Sequence, residues 1–276
     1  MTQPLLEVED LNVTFKTPHR LVRAVRDISF TVGKEKVGIV GESGSGKSAT
    51  GRAILKLTPG NGTVSAKKMR FEELDLAGAT ETDMLKVRGS RVGMILQDPK
   101  FSLDPVMRVG DQISEALPRG LDRKESRARV MEVLEAVKIR NPERVYNLYP
   151  HECSGGMGQR IMIAMMLVPE PKLLIADEPT SALDVTVRMQ VLAILDDLVS
   201  RRGLGLMFIS HDLNLVATFC DRVLIMYAGR IVEECKASEL RDAKHPYTQG
   251  LLASLPRIGE RRKHLSTLVR DPAWAL

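Results

Sequence analysis

Gly41-Glu42-Ser43-Gly44-Ser45-Gly46-Lys47-Ser48-Ala49-Thr50 follows the apolar run Val37-Gly38-Ile39-Val40. The stretch fits the pattern G-x-x-x-x-G-K-[ST] through Gly41, Gly46, Lys47 and Ser48. Glycines let the chain turn tightly, so that successive N–H groups face inward onto phosphate oxygens. A helix is expected to begin near Lys47, bringing its positive dipole end to the same place. In such a loop the lysine reaches the β- and γ-phosphates of a nucleotide, and the Ser48 hydroxyl ligates Mg²⁺. The plainer alternative is a glycine-rich turn that happens to contain a lysine. The strand before it and the helical pattern after it weigh against that. The loop alone does not choose among a kinase, a GTPase, a motor and a transport ATPase, so the choice rests on the remaining sequence.

The chain has 276 residues, a length that suits one α/β domain with an inserted or appended subdomain. Its hydrophobic fraction is 43%, ordinary for a globular protein. Forty basic against 35 acidic residues give a net charge of +5. That mild excess suits an anionic ligand or a membrane-facing surface, and equally a merely solvated one. Arg257, Arg261, Arg262, Lys263 and Arg270 concentrate part of it near the end. Cys153, Cys220 and Cys235 form no C-x-x-C pair, which reads as reduced thiols of a cytosolic protein. No apolar stretch is long enough to span a bilayer, and the opening MTQPLLEVEDLN lacks a signal-peptide pattern. The expectation is a cytoplasmic chain, still able to dock onto a membrane protein.

Along the chain, Leu6-Glu7-Val8, Leu11-Asn12-Val13-Thr14-Phe15 and Ile28-Ser29-Phe30-Thr31-Val32 alternate as strands do. Short buried strands are expected at Val92–Leu96, Leu173–Ala176, Leu206–Ile209 and Val223–Met226. Helical patterns between them argue for a largely parallel sheet flanked by helices. One helix is read from the capping pair Asp122 and Glu125, followed by Val130, Val133, Leu134 and Val137 on one face. A second is read from Val187, Val191, Ile194, Leu195 and Leu198, closed by Arg201, Arg202 and Gly203. The charges from Arg119 to Arg129 read as the solvated face of the first helix rather than a nucleic-acid patch. Residues 99–167 read as mostly helical, and after about Cys235 a tail begins.

A second feature is Leu173-Leu174-Ile175-Ala176-Asp177-Glu178-Pro179, an apolar strand ending in two carboxylates. Beside a phosphate loop, Asp177 can hold Mg²⁺ directly or through water, and Glu178 can polarise the attacking water as a general base. A third is Cys153-Ser154-Gly155-Gly156-Met157-Gly158-Gln159-Arg160, where a serine and two glycines open an apolar helix. That is a second anion site made of backbone N–H groups and a hydroxyl.

The order of these features, with Gln97 and His211, resembles the ATP-binding cassette family over roughly residues 5 to 256. The resemblance implies an α/β fold: a P-loop NTPase (RecA-like) core with an N-terminal antiparallel β subdomain and an inserted α-helical subdomain. It implies a cassette at residues 1–256, with the helical part at about 99–167, and a short tail at 257–276. It implies ATP and Mg²⁺ as cofactors. Gly41, Ser43, Gly44, Ser45, Gly46, Lys47, Ser48 and Ala49 would bind the nucleotide phosphates. Phe15 resembles the aromatic that stacks on adenine; a core strand phenylalanine is the equal alternative. Gln97 resembles the hinge glutamine near Mg²⁺ and the attacking water, and His211 the histidine that contacts the γ-phosphate. With Glu178, these two complete the catalytic set. Ser48, Gln97 and Asp177 would serve the metal. Ser154, Gly155 and Gly156 would close in trans over ATP held by a second cassette, and Ser181-Ala182-Leu183-Asp184 would let the two cassettes sense each other.

Gln97-Asp98-Pro99, Ser102-Leu103-Asp104-Pro105, Tyr149-Pro150-His151-Glu152 and the tail His245-Pro246-Tyr247-Thr248 are similar to the peptide and nickel importer branch. That implies an ATP-hydrolysing subunit on the cytoplasmic face of the inner membrane. Its partners would be a second cassette, identical or different, two transmembrane permease subunits and, indirectly, an extracytoplasmic solute-binding protein. Nucleic acid is not expected. Cys153 and Gly158 depart from the branch, which more often has a larger apolar residue and an arginine there. A glycine inside a helix costs about 1 kcal/mol against alanine, so a weakened trans motif is expected. The absence of cysteine after Cys235 speaks against a metal cluster in the tail. A soluble or regulatory cassette ATPase not coupled to import is the alternative reading.

Overall fold

The computed structural model describes residues 3–96, 103–118, 120–181 and 183–255, together with Asp271 and Trp274. The chain divides into two compact units, Met1–Thr80 with Met207–Leu276, and Glu81–Leu206.

The first unit opens with strands β1 (Leu6–Lys16) and β2 (Leu21–Val32), paired antiparallel from Leu6↔Val32 to Lys16↔Leu21. β1 buries Leu6 and Val8, then Leu11 and Val13, so the buried face changes parity midway. Asp10 and Asp27, both with positive φ (51° and 48°), sit where the register shifts. β1 carries one extra residue and β2 two, and each moves the side chains that follow it to the other face. Asn12 ties the irregularity together, donating to the Asp10 carbonyl at 3.1 Å and to Asp27 Oδ1 at 2.8 Å. The alternation expected from sequence therefore holds on each side of the shift, with its phase reset.

β3 (Lys36–Val40) is buried after its first residue and leads through the glycine loop into α1 (Lys47–Ile54). β4 (Gly62–Ser65), β5 (Lys68–Phe71) and β6 (Leu74–Asp75) then extend the first hairpin in the order β2-β1-β5-β6, with β4 also pairing β1. These three strands were not expected. None exceeds four residues, too short for alternation to register.

The second unit holds α2 (Glu81–Leu85), β7 (Val92–Ile95), α3 (Val109–Glu115), α4 (Arg123–Ala136), α5 (Pro142–Tyr146), α6 (Gly155–Leu167), β8 (Leu173–Asp177) and α7 (Val185–Arg202). β7 and β8 run parallel, and both are wholly buried. α4 starts as expected: Asp122 accepts from the N–H groups of Lys124 and Glu125, and Glu125 accepts from the Asp122 N–H. α7 buries Val191, Ile194, Leu195 and Leu198 and ends at Gly203, whose φ is 64°.

The chain returns to the first unit through β9 (Gly205–Ser210), α8 (Leu213–Phe219), β10 (Arg222–Tyr227), β11 (Arg230–Lys236) and α9 (Pro246–Ser254). β10 is parallel to β3 and antiparallel to β11, and the neighbours run β11-β10-β3-β9. The central strands carry near-continuous apolar runs because both faces are covered. Among the described residues no helix is long and apolar enough to cross a membrane.

Candidate functional site

The glycine loop leaves β3 against the end of β10. A Cβ on Gly41 would lie 2.1 Å from the Met226 carbonyl oxygen, so only glycine permits that exit. Gly46 has φ 104°, and a Cβ there would lie 2.3 Å from the Ala24 carbonyl oxygen. The loop is braced from outside: Gly229 N–H donates to the Ser45 carbonyl at 3.0 Å, and Glu42 N–H donates to Tyr247 Oη at 3.2 Å. Ser43 and Gly44 are exposed at its tip.

Lys47 is buried, 6% exposed, at the first position of α1. Its Nζ donates to the carbonyls of Gly41 at 2.7 Å and Glu42 at 2.9 Å, so the ammonium lies within the loop's concave side. Gly46 offers α1 no side-chain cap. A helix start without such a cap, plus an enclosed cation, is the chemistry that receives phosphate oxygens. Ser48 and Ala49, half-buried, occupy the same first turn.

Elsewhere in this unit, Phe15 is half-buried near the end of β1, opposite Val22 and Gly62. Its ring lies over Gly62, where a Cβ would come within 2.8 Å of Cε1. His211 is exposed immediately after β9. The turn that carries it is fixed by Asp212, whose N–H donates to Ser210 Oγ at 3.0 Å and whose carboxylate accepts from Leu215 N–H at 3.0 Å.

In the second unit, Asp177 ends β8 with 2% exposure. Glu178 follows with φ 49°, left-handed for a residue with a side chain. Such a conformation costs on the order of 1–2 kcal/mol and clusters at functional sites. Ser181 secures the turn by donating from N–H (3.3 Å) and Oγ (3.1 Å) to the Glu178 carbonyl.

Ser154 caps α6, accepting from Met157 N–H at 3.3 Å. Gly155 is exposed, with nothing within 4 Å of where a Cβ would stand. Gly156 packs on Val187, which a Cβ would meet at 2.8 Å. Val187 N–H in turn donates to Asp184, the cap of α7, at 3.0 Å. The Ser-Gly-Gly motif and the Ser181–Asp184 segment are thus linked through one close contact. Despite Gly158, α6 runs unbroken, with Gly158 N–H on the Ser154 carbonyl at 2.9 Å. The Cys153 thiol, near the Tyr149 carbonyl at 3.6 Å, is pushed above its ordinary range by burial and then by Glu152. Gln97 and Ala182 lie outside the described residues.

The clearest contributor missed by sequence reasoning is Tyr247, noted there only as a tail motif. It is 205 residues from Glu42, and no local spacing announces that contact. Arg160 is another. It joins α6 to the end of α4, donating to the carbonyls of Gly156 at 3.1 Å and Lys138 at 2.8 Å.

Among the described residues no three or more His, Cys, Asp or Glu side chains cluster as a metal site. Mg²⁺ needs no such cluster, because it takes one or two protein oxygens and fills its shell with phosphate and water. The Ser48 hydroxyl in the first unit and the Asp177 carboxylate in the second are, each by itself, oxygen donors of that kind.

The profile of the ABC transporter family matches residues 25–181. The oligopeptide transport ATP-binding protein OppD of Bacillus subtilis (strain 168) is 49% identical over 259 residues, 92% of this chain and 72% of that one. A dimeric post-hydrolysis structure of the ATP-binding cassette MJ0796, bound to ADP and Pi, superposes with a TM-score of 0.75 at 25% identity, covering 84% of this chain and 98% of that one. The structure of cbiO1 from Clostridium perfringens, part of the ABC transporter complex cbiONQ, gives 0.75 at 27%, covering 87% and 92%. A glycine loop closed around a buried lysine, a strand ending in Asp-Glu and a Ser-Gly-Gly helix start accord with these likenesses, and the chain belongs to the ABC transporter family.

Proposed function

We propose that the chain binds ATP with Mg²⁺ and hydrolyses it as the peripheral, energy-supplying subunit of a membrane importer for peptides. The observation that carries this is the loop of Gly41 to Ser48, with the Lys47 ammonium enclosed between the Gly41 and Glu42 carbonyls. That lysine is buried, and an arriving β,γ-phosphate offers it a charged acceptor, stronger than a neutral carbonyl.

The residues divide the work. Loop N–H groups and the first turn of α1 bind phosphate oxygens; Phe15 takes the base. Ser48, Asp177 and Gln97 would hold Mg²⁺, which offsets the charge on the phosphates. Glu178 accepts a proton from water as the water oxygen bonds to the γ-phosphorus and the bond to the β–γ bridging oxygen breaks, releasing ADP. Lys47 stabilises the charge that develops, and His211 orients the γ-phosphate. Ser154, Gly155 and Gly156 act on ATP held by a second cassette, a copy of this chain or a different one.

The relative from Bacillus subtilis is named for oligopeptide transport, which supports peptides as the cargo. The dimeric cassette and the cassette from a larger transporter complex support a paired ATPase joined to membrane subunits. The assembly proposed is two cassettes, two permease subunits and an extracytoplasmic solute-binding protein, with this chain on the cytoplasmic face of the inner membrane. The cassette is assigned to residues 1–256, with its helical part at about 99–167.

The test is ATP hydrolysis by the purified chain and by Glu178→Gln across a range of protein concentrations. Activity should rise more steeply than concentration and disappear in the variant, which still binds ATP. Turnover by Glu178→Gln at the wild-type rate would remove Glu178 as the base. Failure of the wild type to bind ATP would remove the reading altogether.

A further inference from the structure

Glu42 N–H and the Gly41 carbonyl belong to one planar peptide and point to opposite sides of it. On one side Tyr247 Oη accepts from Glu42 N–H at 3.2 Å; on the other the Gly41 oxygen accepts from Lys47 Nζ at 2.7 Å. Tyr247 and Lys47 thus hold the same peptide from opposite edges.

Tyr247 is itself held firmly. It is fully buried at the second position of α9. Its N–H donates to His245 Nδ1 at 3.1 Å, and Glu233 accepts from Lys244 N–H at 2.6 Å. Its ring packs on Tyr227 with centroids 4.4 Å apart, and Trp274 meets the rings of Tyr227, Tyr247 and His245 edge-on at 6.0, 6.1 and 6.2 Å. Trp274 is the single tryptophan of the chain and is half-buried.

We propose that Tyr247 is a positioning residue of the nucleotide site: its hydroxyl orients the Gly41–Glu42 peptide that holds Lys47, and the aromatic cluster ending at Trp274 responds to the state of that peptide. This rests on the loop being the ATP site. When phosphate draws the Lys47 ammonium away, the Gly41 carbonyl loses its cation while Tyr247 still holds the same peptide from behind. The resulting tilt passes through one hydroxyl into a packed ring cluster, and indole emission is sensitive to such changes in its surroundings.

The experiment uses the full chain, wild type and Tyr247→Phe, which keeps the ring and removes only the hydroxyl. Binding of labelled ATP with Mg²⁺ is measured by equilibrium dialysis, and Trp274 emission is followed in parallel with ATP and with tripolyphosphate. The second ligand has no base, so it cannot quench an indole by stacking. Wild-type emission should shift in step with occupancy for both ligands. Tyr247→Phe should bind ATP about three- to tenfold more weakly, the effect of one lost hydrogen bond, with a smaller emission change per bound ligand. Wild type that binds ATP while Trp274 stays silent to both ligands would overturn the proposal, as would an unchanged affinity in Tyr247→Phe. Should the variant not fold, the wild-type emission arm decides alone. No ATP binding by wild type would strike the ATP site itself, and this proposal with it.

Discussion

Gly44 and Gly46 share a positive φ, 81° and 104°, yet they stand in different surroundings. A Cβ on Gly44 meets nothing within 4 Å, whereas one on Gly46 would press on the Ala24 carbonyl oxygen at 2.3 Å. Gly44→Ala should cost only the backbone penalty of about 1 kcal/mol, and Gly46→Ala at least about 2 kcal/mol more, because backbone must shift. Urea midpoints of the two variants test this, and equal costs would remove the steric argument. Cys220 gives a pH dependence. Burial, then Asp221, pushes its thiol from 9.0 up to about 12. The unfolded chain loses that proton first, so the contribution is fully present below pH 9 and is lost as pH rises from 9 toward 12. By pH 10 the loss should reach about 1.4 kcal/mol. Denaturant titrations at pH 8 and 10 should show that extra loss in wild type and not in Cys220→Ala.

Two helix starts test the proposed division between folding and function. At α4, Asp122 accepts from two N–H groups and Glu125 returns the bond. At α6, Ser154 accepts one bond at 3.3 Å and stands exposed. Asp122→Ala should cost about 1–2 kcal/mol of stability and leave ATP turnover unchanged; Ser154→Ala should cost about 0.5–1 kcal/mol and lose most of the turnover. Thermal melts beside turnover assays compare them, and parallel losses in both would deny Ser154 a role beyond capping. These caps and the glycine loop were legible in the sequence because their chemistry lies within a few consecutive residues. The same holds for β8 with its terminal carboxylates and for the apolar face of α7. What was illegible depends on distance or on phase. Strands β4 to β6 are too short to show a period, the paired irregularities at Asp10 and Asp27 reset one, and the bond from Glu42 to Tyr247 spans 205 residues. α6 runs unbroken through Gly158, its first turn held by Ser154 and by Arg160 reaching the Gly156 and Lys138 carbonyls.

A chain with one phosphate loop and one Ser-Gly-Gly helix start makes a trans site only by pairing, and pairing can be tested by complementation. Lys47→Ala removes the cation of the loop. Gly155→Arg adds a long, charged side chain at the exposed start of α6, where a Cβ meets nothing within 4 Å. On the proposed pairing, that side chain stands where a partner's nucleotide would lie. Each variant alone carries the same fault in both of its composite sites and should be inactive. In a mixed dimer one site combines both faults, and the other combines an intact loop with an intact Ser-Gly-Gly. Equal mixing at random should therefore restore about a quarter of the wild-type sites, and activity should peak at the one-to-one ratio. A mixture that stays inactive, with wild type active and both variants folded, would show that the Ser-Gly-Gly of this chain does not serve the loop of another copy. The trans site would then have to be sought against a different chain.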